Sequence, residues 1–148
     1  MRTRYIAGLG KAIVRRFSLR CRPDGTRHHV FASGLRNIYD VALDHELSVF
    51  VRDNENDGGT YKNRIYQSFH GTDHGYSCLY YEHPNETCLP VADVGLGSSA
   101  GGTVYLEQTL PKAFHGHLIF AQWGKAVMNY PPVRNSVSFA TRKEAEFD

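Results

Sequence analysis

Apolar residues along this chain come in short alternating runs, and the spacing is that of β-strands. No window of about 11 residues carries an apolar stripe at i, i+3, i+4 and i+7 without a Gly or Pro breaking it, so helices are not expected. The alternation predicts strands over residues 12–19, 29–32, 39–43, 48–52, 64–69, 102–106, 117–122, 126–130 and 138–147, the last interrupted by charges. Arg22-Pro23-Asp24-Gly25 reads as a tight turn after the first of them. Many short strands separated by turn residues point to an all-β sandwich, barrel or propeller. Two stretches, 53–63 and 80–99, read as loops, the second carrying Pro84 and Pro90. Loops of that length in a compact β domain tend to be functional.

Residues 31–59 hold the densest candidate chemistry. Arg36-Asn37 sits at the mouth of one predicted strand, and a later strand ends in Asp53, Asn54, Glu55, Asn56 and Asp57. Polar groups gathered at the ends of rigid strands are where a β scaffold builds a binding site. The chain also echoes itself. Gly34-Leu35-Arg36-Asn37 leads into Tyr39–Ala42 much as Ser98–Gly102 leads into Thr103–Tyr105, and each is followed by a turn and an apolar strand. Repeated hairpins of this kind suit propeller blades.

Composition narrows the classes. With 148 residues, 41% hydrophobic and 22% charged, the chain has single-domain size and is neither disordered nor membrane-spanning by composition. The net charge is only +2, but Arg and Lys crowd the first 27 residues, where Asp24 is the sole acid. An arm for nucleic acid or membrane is one reading; alternating Arg on the wet face of a strand is the favoured one. That segment has no apolar core of signal-peptide length. Among three cysteines, Cys78 and Cys88 have the spacing to pair across a loop in an oxidising compartment, although partly buried thiols are the favoured reading. Asn85-Glu86-Thr87 fits a glycosylation sequon, a pattern common by chance. His115-Gly116-His117 puts two imidazoles on one face if extended, whereas His28-His29, His70 and His74 show no three-ligand set.

Five segments together carry a resemblance: GLRN at 34–37, VRDN-x-NDGG at 51–59, DHGY at 73–76, GLGSSAGG at 95–102 and FHGHLIFAQWGKAVMNYPP at 114–132. The combination resembles the glucose/sorbosone dehydrogenase family, whose soluble members bind pyrroloquinoline quinone (PQQ). It is closest to the bacterial, planctomycete-type "membrane-bound dehydrogenase" branch. The resemblance implies an all-β fold, a six-bladed β-propeller. At roughly 40–50 residues per blade, this chain supplies about three blades of four-stranded antiparallel sheet. It also implies a basic segment over 1–22 belonging to an incomplete blade, and a partial propeller over 23–148. Three blades leave raw sheet edges, so the chain reads as a fragment that stands as an arc or closes a ring as a homo-oligomer.

For the site, the resemblance implies that Arg36 and Asn37 contact the quinone, the guanidinium fork suiting a carboxylate-bearing planar acid. The structural alternative is that Arg36 ties a blade together through backbone carbonyls. Asp53, Asn54 and Lys125 would line the same cofactor face, with Lys125 alternatively a plain turn residue. Asp53–Gly58 partly mimics a calcium loop, making Glu55, Asn56 and Asp57 candidate Ca²⁺ ligands. Glu55 departs from that pattern, Arg64 replaces its bidentate Glu, and an Asx-rich turn is the alternative. His74-Gly75-Tyr76 matches the blade-closing motif, but Ser77 stands where Pro is usual. The His that serves as base in quinone-dependent relatives belongs to a blade absent here, so no catalytic residue is assigned. The resemblance thus implies a periplasmic or secreted sugar- or alcohol-oxidising propeller that passes electrons to a cytochrome c, with this chain not catalytic alone. The competing expectation is a non-enzymatic module binding carbohydrate or protein, which nine Tyr and eight Phe would serve by stacking.

Overall fold

The computed structural model describes residues 16–54, 62–76, 83–141 and 145–147. Among them there is no α-helix, and only Pro84–Glu86 and Lys112–Phe114 form single 3-10 turns. No helix among the described residues is long and apolar enough to cross a membrane. Backbone contacts group the chain into two units, one of residues 1–37 with 68–89, the other of 38–67 with 90–148.

The first unit carries a three-stranded sheet of Arg16–Arg20 (β1), His29–Leu35 (β2) and Thr72–Asp73 (β6), in the order β1-β2-β6. β1 and β2 are antiparallel and close through the expected turn, where Gly25 N–H donates to Arg22 O at 2.9 Å. β6 pairs with β2 in parallel, Ala32 facing Thr72 and Ser33 facing Asp73. Leu19, Ala32 and Leu35 are buried here.

The second unit carries two four-stranded sheets. One runs β3-β4-β5-β7, from Ala42–Leu43 (β3), Val49–Asp53 (β4), Asn63–Ser68 (β5) and Ala92–Gly95 (β7). The other runs β8-β9-β10-β13, from Ser99–Val104 (β8), Leu118–Gln122 (β9), Ala126–Tyr130 (β10) and Ala145–Phe147 (β13). Val133–Asn135 (β11) and Ser138–Ala140 (β12) form a separate hairpin between β10 and β13. Period-two alternation explains the packing. Leu118, Phe120 and Gln122 turn to the buried face of β9, and Met128 and Tyr130 do so on β10. Leu118, Phe120, Met128 and Tyr130 form one core with Ala42, Phe50, Ile65, Val91 and Val104. Phe50 meets the ring of Phe139 edge-on at 5.3 Å, which draws the β11–β12 hairpin onto that core.

Among the described residues the strands expected from alternation are present with shifted ends, residues 12–15 of the first lying outside those described. The stretch expected to be one loop over 80–99 instead contains β7, whose pairing covers the open side of β5, and the start of β8. The expected strand over 39–43 is confined to Ala42–Leu43. The expected strand over 138–147 is two short ones, β12 and β13, in different sheets.

Candidate functional site

In the second unit, three of the motif segments converge on one loop. That loop, Leu96-Gly97-Ser98, joins β7 to β8 and is bonded from several sides. At the end of β4, the Asn54 amide donates to Ser98 Oγ at 3.0 Å, and its carbonyl accepts the Ser99 N–H. The Asn63 amide at the start of β5 donates to Gly97 O. Gln122, at the end of β9, donates to Leu96 O at 2.9 Å, and the following Trp123 N–H donates to Ser98 O at 2.9 Å. Gly97 stands at φ +141 against the Gln122 amide, a place with no room for a side chain.

Beneath this loop lies Arg52, only 1% exposed. Its guanidinium donates to Gln122 Oε1 at 2.8 Å and to Ala121 O at 3.3 Å, while its Nε–H meets no acceptor. Burial lowers its affinity for the proton, with Tyr130 opposing that shift. A cation held by neutral oxygens organises what it touches, and removing its partners would leave it uncompensated. Arg52 and Gln122 were missed among the candidates. The usable signal was parity: Arg52 shares its strand face with Phe50, as Gln122 shares its face with Leu118 and Phe120.

The predicted site residues fall as follows. Asp53 and Asn54 are each 4% exposed, and an Asp53 carboxylate oxygen accepts the Asn54 N–H at 2.9 Å. Lys125 is exposed in the β9–β10 turn that begins at Gln122, so it and Asn54 share the end of the unit that carries the Leu96–Ser98 loop. Arg36 and Asn37 follow β2 in the first unit and are half-buried. Glu55, Asn56 and Asp57 lie outside the described residues, as does Cys78. His117 Nδ1–H donates to Asn129 Oδ1 at 3.1 Å.

The other two motif segments meet in the first unit. Asp73-His74-Gly75 runs across Gly34 of the GLRN stretch, with His74 N–H donating to Ser33 O at 2.9 Å and Tyr76 N–H to Gly34 O at 2.8 Å. His74 is 1% exposed, and its Nε2 lies 2.9 Å from Ser68 Oγ. Burial pushes its imidazole down to about 4, with the Asp73 charge pulling the other way.

No family model and no curated protein matches the sequence. Among solved structures, the PQQ-bound form of aldose sugar dehydrogenase from Streptomyces coelicolor aligns over 88% of this chain with a TM-score of 0.65 and 19% sequence identity. The fold is that of a β-propeller. The chain spans 38% of that protein's length, and its sheets are those of a partial propeller. The expected four-stranded antiparallel sheets are present twice in the second unit, whereas the described sheet of the first unit has three strands, with β6 parallel to β2.

An Asn54→Ala variant tests how the loop is held. Leaving Ser98 and Ser99 without their buried partner should cost about 2 kcal/mol in chemical unfolding. The emission of Trp123, the one tryptophan, should shift as the loop loosens. An unchanged midpoint and spectrum would show that the amide is dispensable.

Proposed function

We propose that this chain is part of a quinone-dependent sugar or alcohol dehydrogenase propeller, and that it binds PQQ without completing catalysis by itself. The observation that carries this is the fold likeness to a PQQ-bound aldose sugar dehydrogenase, joined to an ordered loop end in the second unit. Bound quinone of this kind supplies an acceptor for a hydride equivalent from a sugar carbon. Of this chain's residues, exposed Lys125 offers an ammonium to a carboxylate of such a ligand. Asn54, buried, would support the site by holding Ser98 Oγ and the Ser99 N–H, with Asp53 accepting the Asn54 N–H behind it. Arg36 and Asn37 are the first unit's candidates and are tested by their own substitutions. Glu55, Asn56 and Asp57 remain the candidates for a Ca²⁺ ion. A sugar or alcohol substrate, a cytochrome c acceptor, a periplasmic or secreted setting and self-association through open sheet edges complete the reading.

Titration of the purified protein with PQQ and Ca²⁺, followed by absorbance and melting temperature, should raise the melting point as ligand saturates the folded state. Lys125→Ala should weaken binding about tenfold, the equivalent of ~1.4 kcal/mol. No shift up to millimolar ligand would sink the quinone reading.

One observation favours a second reading, a non-enzymatic carbohydrate-binding module. Trp123 is 78% exposed beside Lys125, as a sugar-stacking indole would be. Saccharide-dependent quenching of Trp123 without any quinone response would select it.

A further inference from the structure

We propose that His45 and His115 form a site for a divalent transition-metal ion of the zinc or copper type, which staples the two sheets of the second unit. His45 sits in the β3–β4 turn, which Asp44 holds by accepting the N–H groups of Glu46 at 2.9 Å and Ser48 at 2.8 Å. His115 closes the Lys112–Phe114 turn, its N–H donating to Lys112 O at 3.1 Å. Both side chains are exposed, and their ring centres lie 5.3 Å apart with planes inclined by 28°. At a Zn–N distance of ~2.0 Å, a tetrahedral ion holding two imidazoles separates their ring centres by about 5 Å. The pair therefore has the required spacing.

The surroundings suit a cation. Asp44 and Glu46 flank His45 in sequence, although Glu46 is paired with Arg134 at 2.7 Å. Glu107 shares a cavity of about 380 Å³ with His115, and Lys112 is the opposing charge on its wall. Imidazole ligands select zinc, copper or nickel over calcium. Among the described residues no group of three or more His, Cys, Asp or Glu could hold a metal, so water completes the shell and the site stays open. His45 precedes β4 and His115 precedes β9, whereas Asn54 follows β4 and Trp123 follows β9. The pair thus lies a strand's length, roughly 15 Å, from the loop end proposed for the quinone, and its failure or success is independent of that reading.

The comparison pair is His29 and His70, with ring centres 5.2 Å apart and planes inclined by 64°. It stands opposite Arg20 in the β1–β2 register, and His29 Nδ1 is 3.3 Å from Arg27 O. The neighbouring arginines disfavour a cation there.

The test is calorimetric titration of the full chain with zinc chloride, with a melting curve at saturation. One equivalent should bind and raise the melting temperature. His45→Ala and His115→Ala should each weaken binding at least about tenfold, since losing even an outer-shell partner costs that much. His117→Ala and His29→Ala should leave the isotherm unchanged. An isotherm unaffected by His45→Ala, a change in an exposed turn that spares the core, would overturn the proposal. So would binding lost only in His29→Ala.

Discussion

Gly34→Ala should destabilise the first unit by about 4 kcal/mol, combining left-handed backbone strain of ~1–2 kcal/mol with overpacking of ~1–3 kcal/mol. Gly34 holds φ at +70, and a Cβ there would come within 2.5 Å of Gly75 N and 2.8 Å of His74 N, besides striking the Asp73 carboxylate. Two of those obstacles are backbone, which cannot rotate away. The segment that collides is the one paired with β2 through the Ala32–Thr72 and Ser33–Asp73 register. Gly25 supplies the control: its φ is +83, yet nothing lies within 4 Å of the missing Cβ. Gly25→Ala should therefore lose about 1 kcal/mol, the strain alone. Hydrogen exchange across β2 and β6, with urea unfolding, separates the two variants. Equal losses at the two positions would show that the close approach across Gly34 carries no weight.

Acid should unfold the protein early because of His74. Its imidazole takes a proton at about 4 in the folded chain, against 6.5 for the unfolded reference, because burial penalises the charged form. Below pH 6.5 the unfolded chain binds a proton that the folded chain still refuses. Stability is therefore full above about pH 6.5, falls as pH drops toward 4, and levels off below the folded value. Integrated over that window, the loss is about 3 kcal/mol. The charge of Asp73 lessens the loss, since it favours the protonated ring. His74→Gln removes the titration while retaining a polar partner near Ser68 Oγ, which lies 2.9 Å from the ring. The difference between the two stability–pH curves isolates this residue from the other titrating groups. A His74 proton released near 6.5 by NMR in the folded protein would refute the claim.

Both effects arise within a motif pair. GLRN and DHGY look like site motifs in the sequence, and part of their content is structural: Gly34 is there so that Asp73-His74-Gly75 can pass over it. The same holds in the second unit. The Asn54 of VRDN serves the serines of GLGSSAGG, and Arg52 serves Gln122 of the AQWGK stretch, across separations of 45 and 70 residues. The Asn54 carboxamide is bonded on both its nitrogen and its oxygen to the neighbouring Ser98-Ser99 segment.

How far the chain could be read follows from the range of each signal. The β9–β10 hairpin was legible because both strands alternate and the Trp123-Gly124-Lys125 turn lies between them. β6, β7 and β11 were not, being only two, four and three residues long and too short to show alternation. Their strand character comes from hydrogen bonds offered by β2, β5 and β12, not from their own propensity. Likewise the sequence pairs His115 with His117, two residues away, and the fold places it beside His45.

By itself, then, the sequence determined the β content and the order of its hairpins, since period-two patterning and turn chemistry act between neighbours in the chain. Only the tertiary structure decided which partners Arg52 and Asn54 bond to. A side chain's hydrogen-bond partners depend on which strands pair and in what register, and those pairings span the chain. That is why Asn54 proved to hold a loop, Arg52 to lie beneath it, and Lys125 to stand open at the same end.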